Sequence, residues 1–242
     1  HRITAIIGVS EFGKQEIIEH YRASRDRVHA IYNGGGESFK QLAKHSSQKL
    51  ILERYGIKSP FILDVSRLEP HKNVDTLIRA YEILRRESDF SHSLYVVGVK
   101  RFEAEKTLAL ARASAYAKDI VFLDFVAQAD LNALYSASDV FVFPSLNEGF
   151  GLPLVEAFAS GTPVVTSNVT ALPEVASDAA IIVDPTDVSA LAGAMRRILS
   201  DARLGEILIQ KGLVRAQVFT WSETARKTFD LYRHLVDHES VR

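Results

Sequence analysis

Two glutamates, Glu148 and Glu156, flank a glycine turn with seven residues between them. The segment reads E-G-F-G-L-P-L-V-E and follows an apolar run, and Pro153 suits the first position of a helix. Free N–H groups at a helix start attract an anion or the oxygens of a sugar. Glu156 could accept hydrogen bonds from two ribose hydroxyls, and Glu148 from the hydroxyls of a sugar. The alternative is an ordinary strand, turn and helix whose glutamates cap the helix or face solvent.

A second cluster, S-R-L-E-P-H-K-N at residues 66–73, places two cations after another apolar run. The charge of a nucleotide diphosphate has to be balanced by a metal or by cations. Arg67 offers a two-pronged donor for phosphate oxygens and Lys72 a point charge. The helix dipole disfavours a lysine at a helix start, so Lys72 needs another reason to stand there. Surface solvation is the alternative for both cations, and we interpret His71 as loop structure.

Several motifs for other chemistries are absent from the 242 residues. There is no D-x-D pair to clamp a divalent metal, no phosphate loop, no dinucleotide fingerprint, and no cysteine for thiolate catalysis or zinc. The segment G-V-S-E-F-G departs from the nucleophile elbow G-x-S-x-G. His234 and His238 lie one helical turn apart without a third ligand nearby in the sequence. The sequence therefore predicts a site that uses neither a metal nor a cofactor.

Composition restricts the class of protein further. Hydrophobic residues make up 47% and charged residues 24% of the chain, which allows a sizeable core. A net charge of −1 gives no electrostatic reason to expect nucleic acid or an anionic membrane as a partner. No apolar stretch reaches the roughly 18 residues that span a bilayer, and the first residues do not read as a signal peptide. We expect a cytoplasmic protein, or one peripheral at the inner face of the membrane. Because the chain begins with His1, we expect its beginning to be missing.

Alternating strands and helices have to position these clusters. From position 59 on, short β-branched runs read as strands buried on both faces, at 61–66, 93–98, 120–125, 140–144, 163–167 and 180–183. Between them apolar residues recur at helical spacing, as at positions 74, 77, 78, 81 and 84. This alternation predicts an α/β fold with a doubly wound parallel sheet. Ligands of such sheets bind beyond the carboxyl ends of the strands, where both clusters lie.

The beginning and the end of the chain stand apart from this alternation. Positions 3–9 and 28–32 read as strands around a helix at 11–20. Glycines at 34, 35 and 36 then break regular structure, and a polar stretch follows at 37–48. The first segment is either the tail of a preceding α/β domain with a hinge, or an extra βαβ unit on the same sheet. Helices at about 204–219 and 222–237 end the chain without another strand.

The combination of motifs resembles the C-terminal half of the GT-B-fold retaining glycosyltransferases of the group 1 (family 4) type, which include many bacterial mannosyltransferases. The resemblance covers nearly the whole chain and rests on S-E-F-x-K, I-x-N-G, S-R-L-x-x-x-K-N, E-G-F-G-L-P-L-V-E-A, G-T-P-V-V-T-S and F-T-W-S-E. It implies a Rossmann-like donor-binding domain at 37–220. Residues 1–36 would be the remnant of the N-terminal domain and the hinge, and 221–242 a helix that crosses back to the N-terminal domain. The chain departs from the family at Asp124, where glycine is common, and at N-G-G-G, where N-G-V-D is usual.

The resemblance also implies roles for individual residues. Arg67 and Lys72 would bind the donor diphosphate and stabilise the leaving group, Glu148 would contact the donor sugar, and Glu156 would hold the ribose. The base would lie near residues 97–100 and 125–126. The remaining donor contacts would come from N–H groups of the glycine turn and from these two loops: Phe150, Gly151, Leu152, Gly98, Phe125 and Val126.

The function implied is the metal-independent transfer of a sugar, with retention of configuration, from a nucleotide sugar to a glycan or lipid-linked acceptor in polysaccharide biosynthesis. GDP-mannose is the favoured donor. The missing N-terminal domain would bind the acceptor, and the leaving phosphate would deprotonate it. Two alternatives share the fold. One is a nucleotide-sugar 2-epimerase, whose acid and base groups come from both domains. The other is a module that binds nucleotide sugars without transferring them.

Overall fold

A computed structural model describes residues 4–87, 89–98 and 104–239. For residues 238 and 239 it describes the main chain only. Within this part of the chain the strands are β1 (Ile6–Gly8), β2 (Val28–Ala30), β3 (Phe61–Val65), β4 (Ser93–Val97), β5 (Ile120–Leu123), β6 (Val140–Phe143), β7 (Val164–Ser167) and β8 (Ala180–Val183). In the described residues, the last six form one parallel sheet in the order β5-β4-β3-β6-β7-β8. The doubly wound parallel sheet predicted from the sequence is confirmed.

Helices cover both faces of this sheet. They are α1 (Glu11–Tyr21), α2 (Lys44–Tyr55), α3 (Val74–Arg86), α4 (Ala104–Ala113), α5 (Gln128–Ala137), α6 (Leu152–Ala159), α7 (Leu172–Ala176), α8 (Val188–Ser200), α9 (Ala202–Ala216) and α10 (Trp221–Glu239). Single 3₁₀ turns occupy Arg25–Arg27, Gly36–Ser38, Pro70–Lys72 and Ala117–Asp119.

Consecutive residues of the central strands belong to two different cores. On β3, Leu63 packs with Phe141 and Phe143 in a cluster that includes residues of α5 and α6. Its neighbour Ile62 packs in a second cluster with residues of α3 and α8. Because both faces of the sheet are covered, the strands carry apolar side chains at nearly every position and show no polar alternation.

The observed boundaries differ from the predicted ones at places that matter for the site. Strand β5 ends at Leu123 and not at 125, so Asp124 and Phe125 belong to the loop that follows. The polar stretch at 37–48 is not all hinge, because α2 begins at Lys44. This helix is tied to α5 through Asp130, whose carboxylate accepts hydrogen bonds from Arg54 Nη1 at 2.5 Å and Tyr55 Oη at 2.7 Å.

The first segment forms a small sheet of its own. Strands β1 and β2 pair in parallel with each other, and within the described residues they do not join the six-stranded sheet. Two contacts tie the start of α1 to the loop after β6 and to α7. Ser10 Oγ donates to the carbonyl of Gly149 at 2.7 Å, and the carboxylate of Glu174 accepts from the N–H groups of Glu11 and Phe12 at 2.8 and 3.0 Å. Ser10 itself is fully buried.

Two of the three glycines after β2 are required by close packing. A Cβ atom added to Gly34 would lie 2.2 Å from the backbone N of Trp221, and one added to Gly36 would lie 2.4 Å from the carbonyl oxygen of Ala216. The N–H of Gly36 donates to the carbonyl of Phe219. The segment that was expected to be a hinge is therefore pressed against the junction of α9 and α10.

The last helix presents two different faces. Leu231 is buried, and Thr224 Oγ1 on the same face donates to the carbonyl of Tyr32 at 2.7 Å. Phe229 and Tyr232 lie on the other face and are exposed. Helix α10 thus packs against the first segment with one face and leaves aromatic side chains in solvent on the other.

Candidate functional site

A cleft of about 600 Å³ opens at the carboxyl edge of the central sheet. Its walls are the loops after β3, β4 and β5 together with residues of α5 and α6. Five residues singled out in the sequence line it, namely Arg67, Lys72, Gly98, Phe125 and Val126. The parallel topology explains this grouping, because the ends of neighbouring strands meet at one edge.

Lys72 and Glu148 form an ion pair at the rim of this cleft. The distance from Lys72 Nζ to Glu148 Oε1 is 2.5 Å, and the two side chains are only 15% and 14% exposed. The ammonium group also lies 5.4 Å from the centre of the Phe143 ring. Lys72 ends the 3₁₀ turn before α3. Its carboxylate partner offsets the unfavourable helix dipole, which explains why a lysine is tolerated at this helix start.

Asn73 fixes the backbone that carries Lys72. It has a left-handed conformation with φ of 58°. Its side-chain amide donates to the carbonyls of Pro144 at 3.0 Å and Pro185 at 2.8 Å. The loop after β3 is thereby joined to the loops after β6 and β8. Asn73 holds Lys72 in reach of Glu148 although it does not itself line the cleft.

Replacing Asn73 by alanine or by glycine is expected to lower the free energy of unfolding. Both variants lose the two amide hydrogen bonds and leave two carbonyls without this donor, at a cost of about 1–3 kcal/mol. Alanine adds the strain of positive φ, about 1 kcal/mol, which glycine avoids. Chemical denaturation of both proteins separates the two effects. Two variants as stable as the parent would show that this cross-link does not hold the loops.

Arg67 stands at the open side of the cleft with a 61% exposed side chain. Its Nη1 lies 3.9 Å from Glu69 Oε1, and His71 Nε2 lies 3.6 Å from Glu69 Oε2. His71, which we interpreted as loop structure, also lines the cleft. The loop therefore brings three basic side chains to one wall, with Glu69 between two of them.

Glu156 lies on α6, where Tyr135 Oη donates to its Oε2 at 2.9 Å. Burial raises the pKa of this carboxyl, and the Tyr135 hydrogen bond opposes that rise. The preceding Gly151 has φ of 103°, and a Cβ there would lie 2.9 Å from Leu172 Cδ2. Pro153 takes the second helical position and not the first, because α6 begins at Leu152. The N–H of Leu152 therefore has no acceptor inside the helix.

Two other residues of the predicted set are placed by core packing. Phe150 is only 4% exposed. Its ring packs against Tyr32 and Phe219, with centroid distances of 6.1 and 5.3 Å. The side chain is thus part of the core, which leaves its main chain for the expected role. Val126 is buried as well, whereas Phe125 is 74% exposed.

The loop expected to contact a base is described only in part. Gly98 is in place, but residues 99 and 100 lie outside the described residues. A Cβ on Gly98 would lie 2.0 Å from the carbonyl oxygen of Ser66, so the two loops approach as closely as backbones can. This contact forms one corner of the cleft.

Two polar residues near the site were not singled out in the sequence. Tyr135 on α5 is fully buried and orients Glu156. Asp64, which precedes Arg67 by three residues, is fully buried on β3. A carboxylate inside the apolar run F-I-L-D-V could have been noticed, because buried acids are rare without a partner. The partnership of Tyr135 with Glu156 joins two different helices and has no signal in local spacing.

Two further sequence expectations concern metals and membranes. Among the described residues, no group of three or more histidine, aspartate or glutamate side chains is arranged to hold a metal ion. The expectation that the site works without metal stays a prediction. The side chain of His238 lies outside the described residues. In the part of the chain that the structure covers, no helix combines the length and the apolar composition needed to span a bilayer.

Comparison with known proteins gives consistent matches. The family profile described as "Glycosyl transferases group 1" matches residues 47–214. The chain is 34% identical over 232 residues to O-antigen chain mannosyltransferase B of Escherichia coli, covering 95% of this chain and 60% of that protein. It is 32% identical over 239 residues to a serotype-specific mannosyltransferase WbdA of Escherichia coli, covering 97% of this chain and 29% of WbdA. A solved sucrose-phosphate synthase from Thermosynechococcus elongatus superposes with a TM-score of 0.83 at 26% identity, covering 97% of this chain and 59% of that one.

The family match includes both clusters found in the sequence. It contains Arg67 and Lys72, which line the cleft, and also Glu148 and Glu156, which do not. The fold agrees with that of the solved relative. The chain spans 60% of the length of the O-antigen mannosyltransferase that it matches. On the evidence of the profile, the relatives and the fold, this chain belongs to the group 1 glycosyl transferases and is mannosyltransferase-like.

Proposed function

We propose that this chain binds the nucleoside diphosphate of a nucleotide-sugar donor and forms the donor-binding part of a retaining glycosyltransferase. The observation that carries the proposal is the meeting of Arg67, Lys72 and Glu148 around the cleft at the carboxyl edge of the sheet. A diphosphate in this cleft would lie between an exposed guanidinium and an ammonium held by a carboxylate. These are donors suited to phosphate oxygens.

Charge development during transfer gives these cations a further task. As the sugar leaves, negative charge grows on the diphosphate, and preoriented cations stabilise it without a metal. Glu148 holds Lys72 in position before the donor binds and can accept a hydrogen bond from a sugar hydroxyl. The N–H groups of Phe150, Gly151 and Leu152, the last of which begins α6, would donate to hydroxyl or phosphate oxygens. Metal independence is part of this proposal.

The ribose and the base would occupy the other end of the cleft. Glu156, oriented by Tyr135, would accept hydrogen bonds from the ribose hydroxyls. The base would lie along Gly98 and Phe125, whose exposed ring offers a stacking surface. We favour GDP-mannose as the donor because the first relatives are named as mannosyltransferases. Retention follows if the acceptor is deprotonated by the leaving phosphate on the same face of the sugar.

The acceptor side is proposed to come from a further domain. The relatives are longer than this chain, which spans 60% of the first of them. Helix α10 exposes Phe229 and Tyr232 on the face opposite to the one that packs against the first segment, and an exposed aromatic face is suited to cover by another domain. Residues 1–36, which include the two strands of the small sheet, would belong to that domain. A glycan or lipid-linked acceptor would then meet the donor between the two domains.

Titration calorimetry with GDP, UDP and ADP tests the proposal. We expect at least one of these nucleotides to bind, and GDP to bind most tightly. Replacing Arg67 or Glu156 by alanine is expected to weaken binding about tenfold, because each removes hydrogen bonds to or from a charged group. Arg226→Ala, which removes an arginine of α10 paired with Glu223, is the control and should bind as the parent does. A folded protein that binds none of the three nucleotides would overturn the proposed function.

A further inference from the structure

A buried carboxyl group lies behind the cleft and makes none of the proposed donor contacts. Asp64 is fully buried. Its Oδ1 is 2.5 Å from Ser66 Oγ. Its Oδ2 has no hydrogen-bond partner within the described residues. Ser66 is also nearly buried, but it lines the cleft beside Arg67. The serine therefore stands between the carboxyl group and the space proposed for the diphosphate.

The sheet explains why this carboxyl group is shielded from water. Asp64 pairs in register with Val96 on β4, in the middle of the parallel sheet. The flanking Leu63 and Val65 face the other core, with Phe141 and Phe143. Burial raises the pKa of Asp64 to about 7, in spite of the hydrogen bond with Ser66 and the charge of Lys72, which lower it. The charge of Glu148 raises it further.

We propose that Asp64 is a positioning residue that, when protonated, turns the hydroxyl of Ser66 toward the donor diphosphate. The inference rests on the proposed function, since it concerns the ligand of the same cleft. No covalent bond forms or breaks. Asp64 takes up one proton from solvent, and the hydrogen bond between Asp64 and Ser66 reverses its direction.

The reversal follows from the number of hydrogens available. When Asp64 is ionised, Ser66 must donate its one hydroxyl hydrogen to Oδ1, and only lone pairs remain for the ligand. When Asp64 is protonated, the acid donates to Ser66 Oγ, and the serine hydrogen is free to donate to a phosphate oxygen. The orphan Oδ2 fits the protonated state, because an unpaired carbonyl oxygen costs less than an unpaired buried carboxylate.

This arrangement fixes the sign of the pH dependence. The protonated form offers a donor to the diphosphate and carries no charge, while the ionised form offers none and repels the phosphate. Donor affinity should therefore fall as pH rises through the pKa of Asp64, about 7 in the free protein. Losing the hydrogen bond from Ser66 to a charged phosphate should lower the donor affinity about tenfold or more.

Other titratable groups near Asp64 have to be separated from it. Lys72, Glu148 and Tyr135 interact with its charge. The cleft itself is lined by further charged or titratable side chains, namely Arg67, Glu69, His71 and Asp124. Histidine is the one type in this set that ordinarily changes charge near neutral pH. His71→Gln therefore serves as a control that removes the imidazole and keeps Asp64.

The test measures GDP-mannose affinity across the pKa of Asp64, with UDP-glucose as a second probe. A nucleotide sugar is used because a terminal phosphate itself titrates at a pH of about 6. We expect the affinity of the parent to fall about tenfold with rising pH. Asp64→Asn should bind as the parent does at low pH, with no pH dependence. The amide group of this variant should direct its NH₂ toward Ser66 at every pH. The opposite orientation would leave an N–H unpaired, which is tolerated less well than an unpaired carbonyl.

Ser66→Ala should bind more weakly than the parent at low pH, because no hydroxyl hydrogen is left to donate to the phosphate. Ser138→Ala removes a buried serine hydroxyl at the amino edge of the sheet, which donates to the carbonyl of Tyr135. This variant and His71→Gln should keep the pH dependence of the parent. An unchanged pH dependence in Asp64→Asn would overturn the inference and leave the proposed function standing. A parent protein that binds neither probe at any pH would overturn the proposed function, and the inference with it.

Discussion

Replacing Lys72 by alanine is expected to lower the affinity for a nucleoside diphosphate by about one to two orders of magnitude. Two effects act in the same direction. The variant loses a charge-assisted donor to the phosphates. It also leaves the carboxylate of Glu148, which is 2.5 Å from Lys72 Nζ and largely shielded from solvent, without its cation. An unpaired carboxylate at the rim of the cleft repels an incoming diphosphate. Calorimetry with GDP or UDP measures the change.

The chain offers a matched control for this variant. Lys44 forms an ion pair with Asp139 at 2.7 Å, but this pair lies at the amino edge of the sheet, where β6 begins. Lys44→Ala should bind nucleotide as the parent does. The double variant K72A/E148A should recover part of the affinity lost in K72A, because the repelling carboxylate is gone. If K72A and K44A bind equally well, the cleft is not where the diphosphate lies.

Replacing Gly98 by alanine is expected to lower the free energy of unfolding by about 3 kcal/mol and to abolish nucleotide binding. The added methyl group would stand 2.0 Å from the carbonyl oxygen of Ser66, which is backbone and cannot rotate away. Backbone hydrogen bonds hold both sides. The N–H of Gly98 donates to Leu123, and the N–H of Ser66 donates to Val97. Relief therefore requires the loops after β3 and β4 to separate, which would displace Arg67.

A second glycine gives the comparison that this prediction needs. Gly193 lies inside α8, and a Cβ added there meets nothing within 4 Å. Gly193→Ala should be neutral or should stabilise the protein by up to about 1 kcal/mol, since alanine is the better helix former. Thermal and chemical denaturation measure both variants. A Gly98→Ala protein as stable as Gly193→Ala would mean that the two loops are not held in contact.

The central sheet could be predicted from the sequence because its signal is local and repeated. Runs such as V-F-V-F need cover on both faces, and the helices between them show their apolar stripes plainly, as in α3 with Val74, Leu77, Ile78, Tyr81 and Leu84 buried. Helix α2 was missed because its first turn is polar and only Ser47 and Ile51 are buried. Its position depends on Asp130 of α5, a contact between distant parts of the sequence.

The site was predictable where side chains follow a strand directly. Arg67, Lys72 and Gly98 lie at the cleft because parallel strands end together. Phe150 shows the limit of this reasoning, since its place in the glycine turn gave no hint that Tyr32 and Phe219 would enclose its ring. Asn73 reads as an ordinary helix cap, yet its amide joins three loops. Such cross-links depend on tertiary geometry that spacing does not encode.

The hydrogen bond from Ser10 to Gly149 joins the first segment to the glycine turn, which is proposed to face the donor sugar. A rigid displacement of α1 must carry this turn along, or break the buried Ser10 hydrogen bond and the two bonds to Glu174, at about 1 kcal/mol each. Events on the two sides are therefore thermodynamically linked. Under the proposed function, a shift of α1 that moves this turn should change the affinity for the donor, and donor binding should bias the position of α1 by the same free energy.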